Sequence, residues 1–127
     1  MRTSSEEDYL KAIYALSNNS DGASTNALAN HLNMKASSIT DMLKKLSDKG
    51  WVHYEKYKGA SLNIDGKAIA LNIVRKHRLW ETFLVNKLNF KWDEVHEIAE
   101  QLEHINSNEL VDRLDDFLGN PKFDPHG

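Results

Sequence analysis

Apolar residues recur at helical spacing through most of this chain, and the period changes once, near its middle. Tyr9, Leu10, Ile13, Tyr14 and Leu16 fall mostly three and four apart, which predicts a helix ending at about Ser17. Ser4 or Ser5 can cap it, and Glu6, Glu7 and Asp8 place negative charge where the helix dipole favours it. The run SNNSDGAS at 17–24 reads as a loop by composition. Ser24 or Thr25 can then cap a short helix carrying Ala27, Leu28, Ala29 and Leu32, followed by a tight turn at 33–35. The next helix is predicted from Ala36 to Lys49, with Ile39, Met42, Leu43 and Leu46 inward and Gly50 as its stop.

In WVHYEKYKGASLNI, residues 51–64, the helical period gives way. Trp51, Val52, Tyr54 and Tyr57 suit one strand, Leu62 and Ile64 a returning one, and Lys58-Gly59 the turn between them. A long helix is predicted from Gly66 to Leu88, capped by Asn63 or Asp65, with Ala70, Ile73 or Val74, and Leu84 inward. Trp92-Asp93 opens a further helix to about Ile105. Ser107 caps the last, whose apolar positions are Leu110, Val111, Leu114, Phe117 and Leu118 and whose stop is Gly119. NPKFDPHG at 120–127 is an irregular tail. Two short helices, a tight turn and a β-hairpin make the winged helix-turn-helix order. The expected fold class is mainly α, with a winged helix-turn-helix domain over 1–64 and a helical domain over 65–127.

Composition narrows the function classes. The 127 residues contain no cysteine, which excludes disulfides, zinc fingers and thiolate chemistry. MRTSSEEDYL lacks the apolar core of a signal peptide, and no apolar run approaches the roughly 20 residues needed to span a membrane, so a cytoplasmic protein with no membrane partner is expected. The net charge of −3 hides an asymmetry. Between 34 and 58, Lys35, Lys44, Lys45, Lys49, Lys56 and Lys58 face only Asp41, Asp48 and Glu55. Between 93 and 116, nine carboxylates face Arg113 alone. The basic half suits a polyanion, and the acidic half suits cations or solvent.

In the basic half, the helix beginning KASSITDMLKK carries Ser37, Ser38 and Thr40 in its opening turns. Short hydroxyl side chains there let a helix end approach phosphates and base edges. Lys35, Lys44, Lys45 and Lys49 add phosphate attraction, and Lys56 and Lys58 charge the hairpin that would act as a wing. Taken singly, these serines read as caps and these lysines as a solvated face; together with the helix order they point to double-stranded DNA. Asp41 repels phosphate unless it accepts from a cytosine amine.

In the acidic half, HEIAEQLEHI at 96–105 places His96, Glu100, Glu103 and His104 along one side of a helix. His77 and Glu81, four apart on the preceding helix, share a face of their own. Each cluster is equally a solvated acidic face, but two helices offering His and Glu at coordinating spacing point to a metal. Imidazole with carboxylate and no sulfur suits Mn(II) or Fe(II), with Zn(II) or Co(II) as substitutes in vitro. His96-Glu97-Ile98-Ala99-Glu100 approaches the H-E-x-x-H pattern of zinc proteases, but Glu100 replaces the second histidine. No phosphate-binding glycine loop or nucleophile elbow is present, so neither catalysis nor a small-molecule substrate is expected.

With EDYLKAIYAL at 7–16, SSITDMLKKLSDKG at 37–50, YEKYKGASLN at 54–63, RKHRLWETFL at 75–84, EVHEIAEQLEHINSNELVDRL at 94–114 and NPKFDPHG at 120–127, the chain resembles the diphtheria-toxin-repressor family over nearly its whole length. The resemblance implies a homodimeric repressor that binds operator DNA when a divalent metal is loaded and controls metal-homeostasis genes. It implies one metal cluster of Asp8, Glu100, Glu103 and His104 with His77 nearby, and another of His77, Glu81 and His96. Carboxylates at Asp8 and Glu100, where iron-responsive members carry sulfur, resemble the manganese-responsive branch. The two-fold interface would use Leu110, Leu114 and Phe117. Lys11 stands where some manganese regulators carry a second carboxylate, which argues against a closely spaced two-metal cluster. Asp124 replaces the usual cysteine before Pro125-His126-Gly127, leaving Asp124 and His126 as candidate ancillary ligands. Asn63 stands where a threonine is typical and remains a competent cap. Many members continue into a small SH3-like domain, so a truncated chain is expected here. The alternative reading keeps the DNA binding and drops the metal: a winged-helix regulator that answers an organic ligand or none.

Overall fold

A computed structural model describes residues 2–17 and 22–122 of the chain. Six helices and one two-stranded sheet follow in the order α1 (Ser4–Leu16), α2 (Thr25–Leu32), α3 (Ala36–Asp48), β1 (Val52–Glu55), β2 (Gly59–Leu62), α4 (Ile64–Leu88), α5 (His96–Leu102) and α6 (Asn108–Phe117) among these residues. They form two compact units, Met1–Leu71 and Asn72–Gly127, with the boundary inside α4. None of the described helices is long and apolar enough to cross a membrane.

In the first unit, α1 is capped by Thr3 rather than by Ser4 or Ser5. The Thr3 hydroxyl accepts from the Glu6 N–H at 3.1 Å, and Glu6 Oε1 accepts from the Thr3 N–H at 2.9 Å, closing a reciprocal capping box. Ser4 has a glutamate at the matching offset, but Glu7 is instead engaged by Arg2 Nε at 3.0 Å. Ser24 caps α2, accepting from the Ala27 N–H. The expected inward residues of α3 meet the core: Ile39, Leu43 and Leu46 are fully buried with Tyr9, Leu10 and Ile13 of α1 and Leu28 of α2, and Met42 packs at the edge. Gly50, at φ 82°, ends the helix, because the left-handed conformation there is one that glycine adopts without strain.

β1 and β2 pair antiparallel, from Val52 opposite Leu62 to Glu55 opposite Gly59. Ala23 extends the pair by one bridge to Ala60, with N–H···O distances of 2.8 and 2.9 Å. The strands are shorter than the sequence pattern suggests. Tyr57 lies in the turn at φ 69° and is 91% exposed, so it is not a strand residue. Ile64 is the first residue of α4 and is 88% exposed. The reason is Asn63: its Oδ1 accepts from the Gly66 N–H at 2.8 Å and its Nδ2 donates to the Gly50 carbonyl, which starts the helix one residue after β2 ends.

Gly59 begins β2 at φ 99°, where an added Cβ would lie 2.1 Å from the Ala23 carbonyl oxygen. Backbone conformation and space both require glycine, so Gly59→Ala is expected to destabilise the protein by about 2 kcal/mol or more. Thermal unfolding followed by circular dichroism checks this; a melting temperature equal to that of the parent would refute the close approach of hairpin and Ala23.

The second unit has a smaller core. Leu79 of α4 is buried with Val111 and Leu114 of α6, flanked by Trp80, Phe83 and Leu118. Arg75 reinforces the same pair of helices, with Nη2 at 2.9 Å from Asp115 and 3.2 Å from Asp112. The hydrogen bond to Asp115 raises the Arg75 pKa above its usual value; burial opposes it and Asp112 adds to it. Lys76, almost fully buried, donates to Asn106 Oδ1 at 2.6 Å and to the Ile105 carbonyl at 3.3 Å, holding the α5–α6 connection. Ser107 caps α6 through the Leu110 N–H, and Gly119 at φ 80° ends it.

The helix expected from Trp92 to Ile105 is only His96–Leu102. Residues 92–94 form a turn, with the Glu94 carboxylate accepting from the Lys91 N–H at 3.0 Å, and Trp92 is 62% exposed. Val95 is the first residue of this stretch to bury, and Ala99 the next, so packing begins where the helix begins. At the other end Ile105 is 39% exposed and lies beyond the helix.

Candidate metal centre and nucleic-acid interface

α4 presents His77 and Glu81 one turn apart, and both are buried. His96, the first residue of α5, comes to meet them. Ligand-type atoms of His77, Glu81 and His96 all lie within 4.8 Å of one another. Glu81 Oε2 is 3.3 Å from His77 Nε2 and 3.6 Å from His96 Nδ1, and the two imidazoles approach edge to face at 4.9 Å between centroids.

The hydrogen-bond arrangement shows what this cluster lacks. His77 Nδ1 lies 2.6 Å from Glu103 Oε1. A carboxylate oxygen accepts, so Nδ1 carries a hydrogen, and the ring turns its Nε2 toward Glu81. Glu81 Oε2 is itself buried without a hydrogen-bond partner. Ligand-type atoms thus converge on a buried carboxylate oxygen that has no hydrogen-bond partner, an arrangement a cation would stabilise. A ligating histidine whose other ring nitrogen donates to a carboxylate is the usual arrangement around protein-bound metals. These residues therefore fit a divalent cation, and their nitrogen and oxygen donors suit Mn(II), Fe(II), Co(II) or Zn(II).

The stretch HEIAEQLEHI does not present its four candidates along a single helix side. α5 ends at Leu102, so Glu103 is its C-cap and His104 lies in the turn beyond. Glu100 is half exposed and pairs with His96 Nε2 at 3.2 Å. Glu103 is 1% exposed, with Oε1 on His77 and Oε2 at 4.0 Å from His104 Nε2. His96 and Glu100 thus go with the α4 pair on one side, while Glu103 buttresses His77 from the other. Glu97 is exposed, as a solvated residue should be. Asp8 lies exposed on α1 in the first unit, and Asp124 and His126 fall outside the described residues.

In the first unit, α3 exposes Lys35, Ser37, Ser38, Asp41 and Lys44, with Thr40 half buried. Lys35 occupies the N-cap position and makes no side-chain capping bond, so Ser37 and Ser38 are not spent as caps of this helix. Lys56 and Lys58 are exposed on the hairpin turn; Lys58 lies 3.5 Å from Glu55, a solvent-screened pair of little energetic weight. Lys45 and Lys49, expected to attract phosphate, have their ammonium groups 3.9 and 2.6 Å from buried Glu6. The role of Glu6 was not apparent from the chain, although T-x-x-E at 3–6 and lysines four apart at 45 and 49 were both visible. Of the residues considered for pairing between protomers, Leu114 is buried within its own unit, whereas Leu110 and Phe117 are 40% and 61% exposed on α6.

Comparison with known proteins accounts for both units. Residues 1–60 match the iron dependent repressor N-terminal DNA binding domain, and residues 64–127 match the iron dependent repressor metal binding and dimerisation domain. The chain is 40% identical over 113 residues to an uncharacterized HTH-type transcriptional regulator of Methanocaldococcus jannaschii, covering 88% of this chain and 90% of that one. It is 35% identical over 124 residues to the HTH-type transcriptional regulator MntR of Oceanobacillus iheyensis, covering 98% and 84% of the two chains. A solved manganese-dependent transcriptional repressor in complex with manganese superposes with a TM-score of 0.85 at 43% identity, over 95% of this chain and 56% of that one. The chain therefore spans about half the length of that solved structure. Both halves of one family being matched in order, the protein belongs to the iron-dependent repressors, the diphtheria-toxin-repressor family of metal-dependent, DNA-binding transcriptional regulators.

Proposed function

We propose that this protein is a homodimeric repressor whose binding to operator DNA depends on Mn(II), with Fe(II) able to take its place, and that it controls genes of metal homeostasis. The observation that carries the reading is the cluster of His77, Glu81 and His96 around a buried Glu81 oxygen that no donor satisfies. When bound, a divalent cation supplies the positive charge that this cluster lacks. Glu81 and the two imidazoles hold it, Glu103 fixes the His77 ring, and Glu100 is within reach of His96. Glu103, His104 and Asp8 are further ligands assigned through the family resemblance, as are Asp124 and His126. Without the cation the buried carboxylates repel and the acceptors face one another, so the unloaded protein populates looser states. Loading shifts the population only as far as the two states differ in affinity for the metal.

In this reading α3 enters the major groove with Ser37, Ser38, Thr40 and Asp41 near base edges and phosphates, and Lys35 and Lys44 neutralise backbone charge. Lys56 and Lys58 place the wing on the flanking backbone. Leu110 and Phe117 are the exposed apolar residues of α6 offered to the partner protomer. A two-fold dimer sets its recognition helices about one turn of DNA apart, roughly 34 Å.

The test is anisotropy with an operator recovered from random duplexes, run with Mn(II), Fe(II), Zn(II) or chelator. Tight binding with Mn(II) and at least tenfold weaker binding with chelator is expected. Equal affinity in chelator would reject the metal switch and leave a winged-helix regulator that metal does not gate.

A further inference from the structure

Glu6 is a fully buried carboxylate in the first turn of α1, with one oxygen hydrogen-bonded to backbone and the other paired with lysine charge. Oε1 accepts from the Thr3 N–H at 2.9 Å, while Oε2 faces Lys49 Nζ at 2.6 Å and Lys45 Nζ at 3.9 Å. The two lysines are four apart at the C-terminal end of α3, Lys49 being its C-cap, so one carboxylate meets both ammonium groups on the same side. Lys49 is held from a second side, with Nζ 5.2 Å from the centroid of the Trp51 ring. Burial pushes the Glu6 carboxyl upward in pKa, but the Lys49 and Thr3 hydrogen bonds and the two lysine charges outweigh it, and the group sits below the usual carboxylate range.

We propose that Glu6 is a specificity-determining residue: it withholds Lys49, and partly Lys45, from DNA phosphates. Sequence-independent attraction scales with the number of phosphates neutralised, whereas discrimination comes from base edges and DNA shape. A recognition helix with free ammonium groups along its full length would gain affinity for any duplex. Pairing Lys49 with Glu6 weakens the attraction at the C-terminal end of the helix and leaves it chiefly to Lys35 and Lys44, beside the hydroxyls of Ser37 and Ser38, to Lys45 in part, and to the wing.

The inference rests on the proposed DNA-binding face of α3, and three variants of the full chain separate the two. Anisotropy with a duplex of arbitrary sequence is measured across a salt series in the presence of Mn(II). Lys44→Met is expected to flatten the dependence of log affinity on log salt by about one unit. Lys49→Met is expected to leave it unchanged, and Glu6→Gln to steepen it by about one unit, because Lys49 is released. Glutamine keeps the acceptor for the Thr3 N–H, and Lys49 is partly exposed, so both variants should fold. The operator-to-arbitrary affinity ratio should fall in Glu6→Gln. If Lys49→Met flattens the slope as much as Lys44→Met does, Lys49 contacts phosphate in the parent and the inference is overturned; an unaltered slope in Glu6→Gln overturns it equally. If Lys44→Met has no effect, the DNA-facing assignment of α3 fails first.

Discussion

Replacing Glu81 with glutamine should abolish most of the stabilisation that Mn(II) confers, while leaving the metal-free protein as stable as the parent or about 1 kcal/mol more stable. The opposed signs come from one atom. Glu81 Oε2 is buried, accepts no hydrogen bond, and faces His77 Nε2 at 3.3 Å and His96 Nδ1 at 3.6 Å. In the metal-free protein this charge is desolvated without a donor, and an isosteric amide removes the charge and offers N–H groups to the two imidazoles. In the loaded protein the same substitution removes an anionic ligand. A metal held at about 100 times its Kd stabilises by about 2.7 kcal/mol; weakening the site about a hundredfold leaves about 0.4 kcal/mol at the same concentration. Thermal unfolding with and without Mn(II), alongside calorimetric titration, reads both halves. An undiminished Mn(II)-induced shift in Glu81→Gln would remove Glu81 from the site. A metal-free variant less stable than the parent would mean that the carboxylate has a donor the geometry does not show.

The elements around this site were legible to different degrees. The core positions of α3 and α6 follow from three-and-four spacing because these helices bury a single stripe: Ile39, Leu43 and Leu46 in one, Val111 and Leu114 in the other. The hairpin was legible as a change of period, but not its ends. Ile64 keeps the spacing of two from Leu62, and Tyr57 is a strand-favouring residue type, while the backbone has already left the strand, under control of the Asn63 cap at one end and the positive φ of Tyr57 at the other. A propensity for β structure in tyrosine or isoleucine is weak beside such local hydrogen bonding.

The metal cluster was legible as a list of residue types and only partly as geometry. His77 and Glu81 share a face because they sit in the unbroken interior of α4. For 96–104 the same arithmetic assumed a helix long enough to carry His104. The helix stops at Leu102, which separates Glu103 and His104 from His96 and Glu100. No pattern in the chain could show that Glu103 would be buried against His77, since that contact joins residues 26 apart and depends on how the α5–α6 connection is held. The buried Lys76, bonded to Asn106 and the Ile105 carbonyl, is part of that hold, and in the sequence it is one more lysine in a basic run. Glu6 was hidden for a similar reason. As a first-turn acidic residue it reads as a dipole partner, and only the approach of α3 turns it into the counter-charge of Lys49.

Leu79→Ala should be the most damaging core substitution in the second unit, at about 3 kcal/mol. Leu79 is fully buried and meets both inward residues of α6, Val111 and Leu114, in a core with few other members. The competing tie between α4 and α6 is the pairing of Arg75 with Asp115 and Asp112, at 2.9 and 3.2 Å. Arg75 is about one third exposed and Asp112 is well exposed, so solvent screening holds that contribution to about 1 kcal/mol. Apolar packing therefore decides whether α6 stays docked. The consequence extends to assembly, because Leu110 and Phe117 are presented by the same helix that Leu79 holds in place. Denaturant unfolding should show the larger loss in Leu79→Ala than in Arg75→Ala, and sedimentation should show the Leu79 variant dissociating at concentrations where the parent is dimeric. If Arg75→Ala is the more damaging of the two, the unit is held by its ion pairs and not by its apolar core. A Leu79 variant that loses stability yet dimerises as tightly as the parent would place the interface on a surface other than α6.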